Sequence, residues 1–136
     1  MAGNALCRLG VLVSGSGTNL QAIIDRIIAG EIRAEVACAI SNRADAYALT
    51  RAARHGIPAI VHEQTAFPDR RSYDEATVEI FRCYSVELVI LAGFMRILTD
   101  VMVDAFPNAI MNIHAYPILH TCRISQDSVH VITSLC

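Results

Sequence analysis

Short apolar, β-branched runs alternate along this chain with stretches of helical period, and that alternation admits few folds. Residues 9–13, 35–40, 59–61, 88–92 and 109–113 read as strands. Between the first two, Leu20, Ile23, Ile24 and Ile27 recur at helical spacing, and Gly30 stands where that helix should stop. Residues 45–55 are alanine-rich and close on Gly56, while Tyr73, Thr77, Ile80, Phe81 and Tyr84 line a third helical face. Hydrophobic residues make up 54% of the 136 and charged residues 18%, the balance of strands buried on both faces. The pattern predicts an α/β fold in one domain, residues 1–136: a doubly wound, mostly parallel sheet with right-handed crossovers. Past residue 114 the periodicity ends, with one further short strand expected over residues 129–133.

Several function classes fall away. The net charge is −2 without a block of like charge, so neither nucleic acid nor an anionic membrane is an expected partner. The longest clean apolar run, residues 88–95, is too short to span a bilayer. Arg8 interrupts the apolar N-terminus and no cleavage region follows, so no secretory signal is expected. Five cysteines without a CxxC spacing read as reduced thiols of a cytoplasmic protein. Five histidines form no HExxH set, and no metal site is expected. Oligomeric state is not legible.

The first strand empties into Ser14-Gly15-Ser16-Gly17-Thr18, and a helix pattern begins at once. Thr18 and Gln21 have the spacing of a capping box. A glycine-rich turn feeding a helix N-terminus makes an anion site, since backbone amides and the helix dipole both favour negative charge. A tight turn that needs glycine for its own geometry is the alternative. The dinucleotide fingerprint is incomplete, because Leu20 occupies its third glycine and the second strand leads into Ser41-Asn42-Arg43 without an acidic residue. No glycine-lysine pair makes a Walker loop either, so the loop favours a single phosphate over NAD or ATP.

Two further segments belong at strand ends. Asn112 and His114 lie two apart on an extended backbone and so share a side. An amide and an imidazole there suit polarisation of a carbonyl, although a strand-end histidine satisfied by its neighbours reads the same way. The run Leu91-Ala92-Gly93-Phe94-Met95-Arg96-Ile97-Leu98 stays apolar beyond its strand except at Arg96. It reads either as core with one solvated arginine or as a wall for a flat ligand with polar edges.

Taken together, VLVSGSGTNLQAIID, AISNRADA, LAGFMRIL and MNIH closely resemble the phosphoribosylglycinamide formyltransferases of purine biosynthesis, over residues 8–114. The resemblance implies a Rossmann-like formyltransferase fold. It also implies formyl transfer from the cosubstrate 10-formyltetrahydrofolate to the amine of glycinamide ribonucleotide. By the same resemblance Gly15, Ser16, Gly17, Thr18 and Asn19 hold the ribonucleotide phosphate, and Arg70, Met95, Arg96, Ile97, Leu98 and Asn112 meet the folate. Asn112 and His114 are the implied catalytic pair. Other formyltransferase-fold enzymes, a formyltetrahydrofolate hydrolase or a transfer-RNA formyltransferase, are alternatives, as is a non-catalytic phosphate-binding fragment.

After His114 the chain departs from the family. Ala115-Tyr116-Pro117-Ile118-Leu119-His120-Thr121 looks like the family's proline-rich loop shortened, and Ser128-Val129-His130-Val131 resembles a later strand reached early. The family's catalytic aspartate follows that strand; Asp127 precedes it, and the sequence stops at Cys136. The expectation is a formyltransferase altered by truncation, splicing or reading frame. Residues 115–136 then form a divergent tail, the edge of the fifth strand is bare, and turnover is impaired.

Overall fold

The computed structural model describes residues 6–113 and the backbone of 129–132. The elements run β1 (Cys7–Val13), α1 (Thr18–Ile28), β2 (Ala34–Ser41), α2 (Tyr47–Arg54), β3 (Ala59–Val61), α3 (Arg70–Cys83), β4 (Leu88–Ala92), α4 (Asp100–Ala105), β5 (Ile110–Ile113) and β6 (Val129–Ile132). They build one sheet of order β3-β2-β1-β4-β5-β6, with every pairing parallel. The chain winds outward from β1 through β2 to β3, returns to β4 on the other side of β1, and winds outward again. This is the doubly wound sheet expected, and its topological switch lies between β1 and β4.

Side-chain alternation along β1 divides the core in two. Leu9, Val11 and Val13 face the layer of α1 and α2, where Leu20, Ile23, Ile24, Ala48 and Ala52 cover them. Leu12 faces the opposite layer, with Val78 and Phe81 of α3 and Met102 of α4. The stripe read from the sequence on α1 is buried at Leu20, Ile23 and Ile24 and half-buried at Ile27. Beyond α1, Gly30 takes φ 78° and its N–H donates to the Ile27 carbonyl at 3.0 Å, closing the helix as expected. At the start of α3, Asp69 caps the helix by accepting from the Ser72 N–H at 2.7 Å.

Two expectations are corrected. A helix at Asp100–Ala105 was not foreseen; six residues following an apolar run carry too little period to be read as one. The bare edge expected at β5 is covered, since β6 pairs along it from Ile110↔Val129 to Ile113↔Ile132.

Gly10 has a steric reason. A Cβ there would stand 2.6 Å from Phe81 Cε1 and 2.9 Å from Val86 Cγ1. Phe81 is fully buried between sheet and helix, so its ring has nowhere to move. Gly10→Ala should therefore destabilise the fold by about 1–3 kcal/mol through overpacking. Urea unfolding measures this, and an unchanged midpoint would show that the ring yields freely.

Candidate functional site

The switch between β1 and β4 opens at the carboxyl ends of the strands into a cavity of about 230 Å³. Residues 14–19 line it, with Arg43 from beyond β2 and Ala92, Gly93 and Met95 at the end of β4. The loops after β1 and β4 are tied together by the Met95 N–H, which donates to the buried Ser14 Oγ at 2.9 Å.

The capping box expected at Thr18 does not form. Gly17 is the N-cap, in the left-handed region at φ 78° and ψ 20°, and no side chain caps the helix. Gln21 Nε2 instead donates to Asp25 Oδ1 at 2.9 Å and lies 3.3 Å from His55 Nε2. The first turn of α1 therefore starts without a side-chain acceptor for its amides, next to the cavity. Gly17 is needed twice over. Its φ disfavours a side chain, and a Cβ would meet Ala48 Cα at 2.6 Å and Arg51 Cδ at 3.1 Å. Gly15 is the opposite case. Its φ lies outside the left-handed region and a Cβ there would meet nothing within 4 Å. Neither backbone conformation nor packing therefore requires glycine at position 15, which borders the cavity.

The segment after β4 divides by residue. Met95 is 83% exposed and Ile97 54%, whereas Leu98 is buried in the core layer with Met102 and Phe106. Arg96 lies between, half-buried, with its guanidinium carbon 4.4 Å above the ring of Tyr73. His62 packs against the same ring, tilted by 43° with centroids 4.4 Å apart, and against Phe67, tilted by 55° at 4.7 Å. Burial pushes the Tyr73 phenol up to about 12 against the pull of the Arg96 charge, and burial holds the His62 imidazole below its ordinary range. Buried Asp74 accepts from both the N–H and the hydroxyl of Thr99, each at 2.7 Å. Its carboxyl is raised by burial, which those two hydrogen bonds oppose.

The structure thus brings Gly15, Ser16, Gly17, Thr18, Asn19 and Met95 together around one cavity. Arg96 and Ile97 follow on the same segment. Leu98 points into the core, and Arg70 stands exposed in the first turn of α3, away from the lining of that cavity. Asn112 lies one residue from the end of β5, paired with Leu91 of β4 and half-buried. His114 and the tail of residues 115–128 lie outside the described residues. Sequence reasoning missed two contributors: Arg43, and Arg51, whose Nε donates to the Ser16 carbonyl at 2.7 Å. Arg43 was visible in the segment Ser41-Asn42-Arg43 after β2; it lines the cavity and pairs with Asp45 at 3.0 Å. Among the described residues no His, Cys, Asp and Glu side chains gather as a metal site, and no helix is long and apolar enough to cross a membrane.

Comparison with known proteins gives one family. The formyl transferase family matches residues 7–116. A phosphoribosylglycinamide formyltransferase of Haemophilus influenzae is 44% identical over 107 residues, which cover 79% of this chain and 50% of that protein. The enzyme of the same name from Escherichia coli is 39% identical over 136 residues, 90% of this chain and 64% of the relative. Among solved structures, glycinamide ribonucleotide transformylase 1 from Symbiobacterium toebii superposes with a TM-score of 0.77 at 50% identity, covering 79% of this chain and 50% of its own. The chain thus spans between half and two thirds of the length of these curated relatives.

Two predictions follow from this geometry. Gly17→Ala should cost at least about 1 kcal/mol for the left-handed backbone and more for the clash, whereas Gly15→Ala should stay within about 0.5 kcal/mol of the parent. Equal losses in chemical denaturation would overturn the distinction between the two glycines. The second prediction concerns His62. Its folded pKa lies below the unfolded value of 6.5, so the unfolded chain binds more protons. The stabilisation is complete above pH 6.5 and is lost as pH falls from there through the lowered folded pKa. His62→Phe should flatten the stability profile in that acidic window; a slope unchanged by the substitution would assign it to another group.

Proposed function

The chain belongs to the formyl transferase family, and we propose that it transfers a formyl group from 10-formyltetrahydrofolate to the amine of glycinamide ribonucleotide in purine biosynthesis. The observation that carries this reading is the start of α1. An uncapped helix N-terminus, a left-handed Gly17 and an open Gly15 meet at the switch between β1 and β4. That arrangement suits one phosphate on a small substrate. Gly15, Ser16, Gly17, Thr18 and Asn19 hold it.

Beside the phosphate site, the exposed apolar side chains of Met95 and Ile97 offer a wall fitted to the flat ring of the folate. Arg96 lies along it, and Leu98 supports it from below and adds only backbone polar groups, since its side chain is buried. Arg70 supplies a cation for the far, anionic end of the cosubstrate.

The chemistry asks three things of the protein. The attacking amine must be neutral, so nothing beside it should carry a negative charge that favours the ammonium form. As the formyl carbon becomes tetrahedral its oxygen gains charge, and the Asn112 amide N–H and a ring N–H of His114 donate to it. A proton then leaves the attacking nitrogen and reaches the departing one through ordered water as the old carbon–nitrogen bond breaks. The free thiols of Cys7, Cys38 and Cys83 support a cytoplasmic location.

Thermal unfolding of the chain with glycinamide ribonucleotide, and with NAD as control, tests the reading. At about 100 times Kd a ligand of the folded state contributes roughly 2.7 kcal/mol, so Tm should rise with the ribonucleotide and stay put with NAD. No rise with the ribonucleotide, or an equal rise with NAD, overturns the single-phosphate site.

A further inference from the structure

α2 grips the loop after β1 by its carbonyls. The Ala48 N–H donates to the Gly15 carbonyl at 3.1 Å, and Arg51 Nε donates to the Ser16 carbonyl at 2.7 Å. Arg51 is itself held. Its guanidinium carbon lies 4.9 Å above the ring of Tyr47, and Nη1 is 3.5 Å from Gln21 Oε1 on α1. The approach is close because Gly17 has no Cβ; one there would be 3.1 Å from Arg51 Cδ.

These two bonds fix more than position. A peptide unit is planar, and none here is cis. In a trans unit the carbonyl of one residue and the N–H of the next point in opposite directions. Turning the Gly15 carbonyl toward α2 sends the Ser16 N–H away from it. Turning the Ser16 carbonyl toward Arg51 sends the Gly17 N–H away likewise. α2 packs over β2 and β3, on one side of β1. β4, whose end closes the cavity, lies on the other side.

We infer that Arg51 is a positioning residue: by holding the Ser16 carbonyl it turns the Gly17 amide toward the cavity, where an anion is to be bound. It acts through the peptide plane and does not touch the anion. The inference rests on the single-phosphate reading and adds the residue that makes the loop receptive. An arginine suits this task better than a lysine because a stacked, planar guanidinium holds Nε in one direction. Arg54 provides the internal control. It carries the same charge on the same helix, 5.5 Å from the same Tyr47 ring, and the loop carbonyls are bonded by Ala48 and Arg51.

The test follows backbone amides by nuclear magnetic resonance in the nitrogen-15-labelled chain, titrated with inorganic phosphate. In the parent chain the Ser16, Gly17 and Thr18 amides should shift together and saturate. Arg51→Ala should weaken phosphate binding by about tenfold, the size of one lost charge-assisted hydrogen bond, and should shrink the Gly17 response more than the Thr18 response. Arg54→Ala should change affinity by less than about twofold, as an exposed charge does. Arg51→Lys keeps the charge and one donor and should recover part of the affinity; it also carries the comparison if the alanine variant does not fold. A parent chain that gives no saturable shift overturns the phosphate site and this inference with it. A parent response that survives intact in Arg51→Ala, or falls equally in Arg54→Ala, overturns the positioning role alone.

Discussion

β1 has no free edge and no free face, and most of the architecture follows from that. It is paired in parallel on both sides, by β2 and by β4, and its Val11, Leu12 and Val13 are wholly removed from solvent. A strand so placed must alternate its side chains between two separate helical layers, and it does so with Leu9, Val11 and Val13 on one side and Leu12 on the other. Gly10 belongs to the second side as well, and there the ring of Phe81 occupies the space a side chain would need. Because the chain leaves β1 once toward β2 and later returns to β4, the carboxyl end of β1 is the one place where two crossovers diverge. A crevice at that point is a consequence of the winding, before any residue is chosen to line it.

Two neighbouring glycines shape the crevice by opposite means. Gly17 yields to the protein: its missing Cβ admits Ala48 and Arg51 and its positive φ turns the chain into α1. Gly15 yields to open space. A side-chain cap at Thr18 would have satisfied an amide at the helix start, and the left-handed Gly17 removes that option by shifting the N-cap back one residue. Local helix stability is given up there, and burial of Leu20, Ile23 and Ile24 offsets it one turn later.

The sheet was legible because its strands are apolar on both faces. Runs such as residues 88–92 have no other plausible fate in a chain with helical stretches between them, and Glu35–Ile40 within β2 needed only one residue more at each end. What escaped was decided by tertiary contact. The six residues of α4 are too few to show a period, and packing of Met102 and Phe106 on the sheet holds them. Thr18 and Gln21 have the spacing of a capping box, but spacing alone does not reveal that Gly17 must turn left-handed against α2. Arg51 is the clearest omission. On the sequence it is one of several basic residues on an alanine-rich helix, and only the crossover of α2 brings it to the Ser16 carbonyl.

The segment after β4 shows the same division of labour at the other wall. It is fixed at three points: Met95 N–H on Ser14, Arg96 over Tyr73, and Thr99 on Asp74. Each anchor draws a polar group inward, and Leu98 turns inward with them. With the backbone pinned on both sides, Met95 and Ile97 have only the outside left to them. Two large apolar side chains on one short stretch, beside a polar loop, carry a solvation cost that the core does not recover. The three anchors explain how the two side chains remain exposed. Asp74 shows what the arrangement demands elsewhere: a carboxylate is kept buried, against its own desolvation, to receive both donors of Thr99.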